Sequence, residues 1–207
     1  MNDLNKQVLW ILLLPGLIFI SSEIHCNNSK TAKQDHAHKE LLSFYAKGKI
    51  VIDARLNEAD WSTARSIIMQ DDSSRSADTA VVRTVWDKQN LYIAFQVRDK
   101  NLQSKQITQD HPLLARDDIA EFLIDTHNDK GNCWTTDDFV YHINLLGQKK
   151  DDRGTADCKS DSKWNGHADI AVQYSGTLND AEDEDVGYII ELSIPWKELE
   201  VQPYLDA

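Results

Sequence analysis

Basic residues are in short supply. The chain carries 22 Lys and Arg against 34 Asp and Glu, a formal net charge of −12 with a pI near 4.9. That excludes a nucleic-acid footprint, because phosphate binding needs a basic surface. It leaves binders of cations and of neutral ligands such as sugars. Long apolar runs are equally scarce. The run VLWILLLPGLIFI, Val8 to Ile20, has 13 residues broken by Pro15-Gly16, too short to span a bilayer. The signatures Gly-x-Ser-x-Gly, phosphate loop and HExxH are missing, which removes the common hydrolase and nucleotide-binding readings. Cysteines number 3, with no C-x-x-C and no Cys/His zinc spacing,. No long amphipathic helix and no solenoid-type repeat occurs. A length of 207 residues bounds what remains to one domain with a good core plus a tail,.

What is present begins with a leader. Lys6 followed by the short apolar run reads as a signal peptide over residues 1–26, with a buried helix of the domain as the alternative,. Ser21-Ser22 offers small residues for a soluble cut. Cys26, followed by NNSKTAKQDHAHKE, resembles the lipid-acceptor cysteine and tether of a bacterial lipoprotein, although Glu23-Ile24-His25 departs from the small residues that usually precede it. Both routes lead to a secreted, periplasmic or cell-surface protein, touching a membrane only through a lipid anchor. Cutting before Cys26 removes Lys6, Asp3 and Glu23 and moves the net charge from −12 to −11, so the acidity belongs to the domain. Residues 27–46 read as a polar tether in which His36 and His38 are solvated, a metal site being the alternative,. An oxidising compartment permits a bridge between Cys133 and Cys158, two free thiols being the alternative.

The stretch Val81 to Asp99 organises the rest. Leu91, Ile93, Phe95 and Val97 alternate with Tyr92, Gln96 and Arg98, the period of a half-buried strand. Asp87-Lys88-Gln89-Asn90 joins it to the preceding run as a hairpin loop,. Further alternating strands are expected at Lys49–Arg55, Ile119–Asp125, Phe139–Leu146, Ala168–Tyr174 and Tyr188–Ile194, the last ended by Pro195. The stretches 99–112, 126–137 and 147–162 read as loops. About seven strands with turns between them predict an all-β, antiparallel sandwich.

In order, the segments IVIDARLNEADW, TVWDKQNLYIAFQVRD, DDIAEFLID, FVYHINLLG, WNGHADIAVQYSGTLND and GYIIELSIPWKEL resemble carbohydrate-binding module family 9, over roughly Ile50 to Leu199. The resemblance implies a β-sandwich over 47–207, binding of polysaccharide or oligosaccharide, structural calcium, and partnership with secreted glycoside hydrolases. It implies sugar contacts from Glu121, from His142 (where the family carries Arg or Glu) and from Asn144. Two tryptophans sandwich a terminal sugar in the family's sugar binders. One matching position lies near Ala115, beside Leu114, and neither is aromatic; the other lies in final strands that the resemblance places past this chain's end. Trp134 and Trp164 are the substitute platforms, with core positions as the alternative.

Calcium takes six to eight oxygens, commonly from loops. Asp99, Asp117 and Asp118 are the expected donors, supplemented by Asp125 and the acidic turn Asn179–Asp185. Independent catalysis is not expected. A glycosidase needs two carboxyl groups about 5–9.5 Å apart; Glu121 and Asp125 lie about 13 Å apart along one strand. The function expected is that of an exported, non-catalytic carbohydrate-binding domain in polysaccharide catabolism. The alternatives are an accessory module of a larger glycoside hydrolase and a surface lipoprotein with a protein-contact role.

Overall fold

The computed structural model describes residues 7–8, 11–12, 41–70, 79–129 and 132–202. Cys26, the tether up to residue 40 and the connection 71–78 lie outside the described residues. Strands β1 (Gln7–Val8), β2 (Ile11–Leu12) and β3 (Leu42–Tyr45) precede the short helix α1 (Ala59–Thr63). Then come β4 (Ser66–Gln70), β5 (Thr79–Trp86), β6 (Asn90–Arg98), β7 (Ile119–Asp125) and β8 (Asp138–Asn144). The last four are β9 (Lys149–Gly154), β10 (Ser160–Asp161), β11 (Asp169–Ser175) and β12 (Gly187–Pro195). One sheet runs β1-β3-β5-β6-β12-β11, with β4 sharing the edge of β5; the other runs β10-β9-β8-β7-β2. Pairing is antiparallel apart from β3 with β5, where Phe44 and Tyr45 run parallel to Val85 and Trp86. Among the described residues no helix is long and apolar enough to cross a membrane.

The hairpin has the expected register, Trp86 opposite Leu91. Its loop closes because Asp87 Oδ1 accepts from the amides of Gln89 and Asn90 at 2.7 and 2.8 Å, a local side-chain turn. Leu91, Ile93 and Phe95 then join Ala120, Phe122 and Ile124 of β7, Phe139, Tyr141 and Ile143 of β8, and Ile190, Leu192 and Ile194 of β12 between the sheets. Phe95, Phe122 and Tyr141 form a ring series across the gap, with centroids 5.8 and 5.0 Å apart. Aromatic pairs of this kind add about 0.5–1.5 kcal/mol beyond their area burial.

The hairpin is not half-buried. Its second face is roofed: Tyr92, Ala94 and Val85 pack under Ala46, Ile50 and Trp61. The roof is the segment 46–64, which corrects the expected strand at Lys49–Arg55. That segment is irregular because its amides are satisfied elsewhere. Asp53 and Ala54 donate to Glu191 Oε2 at 3.0 and 2.7 Å, and Val51 donates to Glu58 Oε1 at 3.1 Å. Ala54 and Leu56 take positive φ, 58° and 52°, which no strand permits.

Three further boundaries move. Leu42–Tyr45 belongs to the sandwich, with Leu41 and Ser43 buried, so the tether drawn to residue 46 ends by residue 41. β9 occupies part of the supposed loop 147–162. In the leading segment, expected to lie apart, β1 pairs with β3 and β2 with β7. The roof covers part of one outer face; the outer face of the β7-β8-β9 sheet carries an open cleft.

Candidate functional site

On that outer face the register sets side chains in rows. Glu121, His142 and Lys150 stand side by side on β7, β8 and β9, and Leu123, Val140 and Asp152 form the next row. Alternation sends Phe122, Tyr141 and Asp151 to the opposite face, where all three are buried,. An open cleft of about 320 Å³ sits over these rows. Leu123 and Val140 are its floor, Glu121 and His142 one rim, Asp152 and Ser160 the other, and Trp134 a wall.

The rim is wired together. His142 Nε2 lies 3.0 Å from Glu121 Oε2, Ser160 Oγ donates to Asp152 Oδ1 at 3.0 Å, and Lys150 Nζ is 3.6 Å from Asp152 Oδ2. The His142 hydrogen bond, opposed by burial and helped by the charges of His142 and Lys150, holds the Glu121 carboxyl below its ordinary range. A depressed carboxyl contributes stability above its unfolded pKa and loses it as pH falls through the folded value. The stability gap between the wild type and Glu121→Gln is therefore widest above about pH 4.3 and closes at lower pH; parallel urea titrations at pH 3 and pH 6 check it. A gap that widens on acidification refutes the arrangement.

The expected ligand residues divide by face. Glu121, His142 and Trp134 converge on the cleft. Trp164 does not: it packs on Phe139 and Tyr141, with centroids at 5.2 and 5.8 Å, from the core side of the sheet. Asn144 is fully buried, though it shares a face with His142. Its Nδ2 donates to the Gln106 carbonyl at 2.7 Å and Asp117 Oδ2 at 2.9 Å, and its Oδ1 accepts from the Leu146 and Gln148 amides. The loop ahead of β7 has closed over that end of the face, so Asn144 is a strut and no sugar reaches it.

The expected calcium donors are placed differently too. Asp117 Oδ2 accepts from Ser104 Oγ, the Gln106 amide and Asn144. Asp118 Oδ2 accepts the Gln103 amide at 2.6 Å, and Asp99 Oδ1 the Asn101 amide at 2.9 Å. Each accepts from a loop amide, and Asp117 also from the Ser104 and Asn144 side chains. Among the described residues, the carboxylates that converge are Asp125, Asp129 and Asp137, with one oxygen from each lying within 4.8 Å of the others. Asp137 is buried, its Oδ2 has no hydrogen-bond partner, and the His127 ring lies 3.4 Å from that oxygen. Burial opposes charge on Asp137, but the Thr135 hydroxyl, backbone amides and His127 together hold its carboxyl below the ordinary range. An orphaned carboxylate oxygen beside two others suits a hard cation.

Asp152 and Ser160 escaped the sequence reading because KKDDRG has no apolar alternation. β9 is a strand whose inward positions are charged. Lys149 Nζ meets Asp151 Oδ2 at 2.6 Å, Asn165 Oδ1 at 3.2 Å and the Gly166 carbonyl at 2.5 Å, while the Gly166 amide donates to the same Asp151 oxygen. Only the fold, by bringing these partners together, makes burial affordable. Cys133 and Cys158 are joined in a disulfide between the β7–β8 loop and the β9–β10 turn. Cys158 sits at φ 61°, a conformation that costs a residue with a β-carbon roughly 1–2 kcal/mol.

The model for the carbohydrate family 9 binding domain-like family matches residues 48–204. Endo-1,4-beta-xylanase A of Thermotoga neapolitana is 26% identical over 159 residues, which is 75% of this chain and 13% of the xylanase. Exoglucanase XynX of Acetivibrio thermocellus is 24% identical over 153 residues, 72% of this chain and 12% of the exoglucanase. The chain thus matches about an eighth of the length of these relatives. A family 9 carbohydrate-binding module from Caldicellulosiruptor kristjanssonii, solved with cellotriose, superposes with TM-score 0.55 at 23% identity, covering 78% of this chain and 69% of that one. The same organism's module with glucose gives TM-score 0.54 at 21% identity, covering 79% and 72%. The likeness in fold and the match to the family model over most of the sandwich have one conclusion: this chain belongs to the carbohydrate family 9 binding domain-like family.

Proposed function

We propose that the open face of the β7-β8-β9 sheet binds a saccharide without chemistry, holding polysaccharide for breakdown outside the cell. The observation that carries this is the convergence of Trp134 and the Glu121–His142 pair over an apolar floor in one cleft. A sugar ring offers a C–H face to the indole and floor, and a rim of hydroxyls to the carboxylates and imidazole. Family membership and the saccharides in the titles of the two solved modules support the ligand class. Calorimetry against cellotriose, xylotriose and a wider glycan panel tests it; a flat titration throughout overturns it. Glu121→Ala is expected to weaken binding about 10-fold, the worth of one hydrogen bond to a charged group.

The same reading includes export by the leader, a lipid anchor at Cys26 as an alternative to free secretion, and a glycoside hydrolase as partner, supported by the enzymes whose modules the chain resembles. Structural calcium fits Asp125, Asp129 and Asp137 better than the three aspartates first expected. These residues would hold the ion where the β7–β8 loop leaves β7 and re-enters β8, supplying a fixed charge that orders the loop. At a calcium level 100-fold above its Kd the fold gains about 2.7 kcal/mol, a rise of roughly 5–10 °C in Tm for a chain of this size. Asp137→Asn should abolish the rise. An identical Tm with calcium and with EDTA removes the site.

A further inference from the structure

We propose that the Cys133–Cys158 disulfide is the clamp that positions Trp134 over the cleft, so that reducing it opens the saccharide site while the sandwich stays folded. This rests on the saccharide reading and adds the part that shapes the site. Trp134 follows Cys133 directly, and Ser160 lies two residues past Cys158; both line the cleft, on loops 25 residues apart in sequence that only the bridge joins covalently.

Past Trp134 the wall is already anchored. The Thr135 amide donates to Asp138 Oδ2 at 2.7 Å, Arg153 Nε donates to the Thr136 carbonyl at 2.6 Å, and a β-carbon at Gly154 would stand 2.1 Å from the Thr135 carbonyl. The bridge supplies the matching anchor before Trp134, so the indole hangs between two fixed points. At its other end Cys158 closes a tight turn, its amide donating to the Thr155 carbonyl at 3.0 Å. It does so at a positive φ that glycine would adopt without strain,. Cys158 thus holds a glycine-like conformation while its sulfur bridges to Cys133. The β10 strand beyond it pairs with β9 through Ser160 with Gly154 and Asp161 with Arg153; the turn's other ties run within 155–159 and from Ser160 to Asp152, so the bridge is what ties this lip to the Trp134 loop. Cys158 is exposed, open to an attacking thiolate, and the apolar core lies on the far side of the sheet.

A dithiol breaks the S–S bond: each cysteine sulfur gains one electron and one proton, and the dithiol closes to its own disulfide. The experiment compares oxidised full-length protein, the same protein in dithiothreitol, Cys133→Ser and Cys158→Gly. Cellotriose affinity and amide hydrogen exchange are read for each, with the best binder from the glycan panel in place of cellotriose if cellotriose itself is not bound. Reduction and both variants are expected to weaken binding at least 10-fold and to speed exchange over 132–136 and 155–160, leaving strands 119–125 and 138–144 protected. Cys158→Gly relieves the turn, so a loss of affinity there belongs to the bridge and not to a damaged hairpin. Affinity within twofold in all four samples overturns the proposal, as does unchanged exchange over 132–136. An oxidised protein that binds no glycan removes the parent reading and this proposal with it. That case is recognised because exchange over 132–136 still rises on reduction.

Discussion

Glu191→Ala is expected to cost about 3–5 kcal/mol, the penalty of removing one partner from a buried charged network. Glu191 is fully buried in the middle of β12 and faces the roof. Its Oε2 takes the amides of Asp53 and Ala54, and its Oε1 takes Trp61 Nε1 at 2.9 Å. Truncation orphans the buried Ala54 amide and Trp61 indole N–H, each worth about 1–3 kcal/mol before relaxation, and the part-buried Asp53 amide, which water can reach,. The roof has no ladder of its own to fall back on, so segment 46–64 should loosen and expose Tyr92 and Val85. Urea unfolding followed by tryptophan fluorescence measures the loss, and the Trp61 environment reports the roof directly. Glu191→Gln is the sharper control. Its volume is right, but its amide nitrogen must face either the indole or the two backbone donors, so it should recover only part of the stability. Burial pushes the Glu191 carboxyl up, more than the amides and indole bring it down. The sign follows: this group's contribution is full below the unfolded pKa of about 4.3 and declines as pH rises through the folded value. The deficit of Glu191→Ala should therefore be larger at pH 4 than at pH 8. A total loss under about 1 kcal/mol would mean that the roof is held by apolar packing alone.

The parts of this fold that could be read in advance are those where one side of a strand meets hydrocarbon and the other meets water. β7 is the clearest: Ala120, Phe122 and Ile124 are buried, while Glu121, Leu123 and Asp125 stay partly open. Alternation also located β8 and the hairpin, although the hairpin's second face is roofed. It failed wherever polar groups satisfy one another out of water. β9 looked like a loop because Lys149 and Asp151 are buried by neutralising each other, a fact about their partners and not their hydropathy. Glu191, between Ile190 and Leu192, is buried in the same way, by the donors that meet it. KIVIDAR looked like a strand because alternation does not reveal that its amides are claimed by a carboxylate 137 and 138 residues away. In the site, Glu121 and His142 could be paired from strand order alone. Asn144 could not be separated from them, since the loop that covers it returns from residues 104–106. The aspartates could not be sorted in advance either: Asp117 is surrounded by its own loop, while Asp125 and Asp137 meet across the β7–β8 ends, where Thr126 donates to the Asp137 carbonyl.

The two candidate tryptophans decide the saccharide reading, because the fold puts them on opposite sides of one sheet. Trp134→Ala should lower saccharide affinity about 30- to 100-fold, roughly 2–3 kcal/mol, the scale of an aromatic hot spot. Stability should change by less than about 1 kcal/mol, since a half-exposed wall residue leaves no sealed cavity when it is shortened. Trp164→Ala should do the reverse. Its ring fills the space against Phe139 and Tyr141, and its edge closes on Gly166, where an added β-carbon would lie 2.8 Å from the indole. Removing it strips packing from Phe139 and Tyr141 beside the Lys149–Asp151 pair, with an expected cost of about 2–3 kcal/mol for a partly buried ring,, and affinity for the remaining folded protein should be unchanged. Trp134→Phe keeps a flat face and should restore much of the binding, which separates stacking from a general effect of the loop. Calorimetry and urea unfolding on the same preparations read both quantities. If Trp164→Ala loses the ligand and Trp134→Ala keeps it, the cleft on the β7-β8-β9 face is not where sugar binds, and the surface must be sought elsewhere, the exposed β11 edge first.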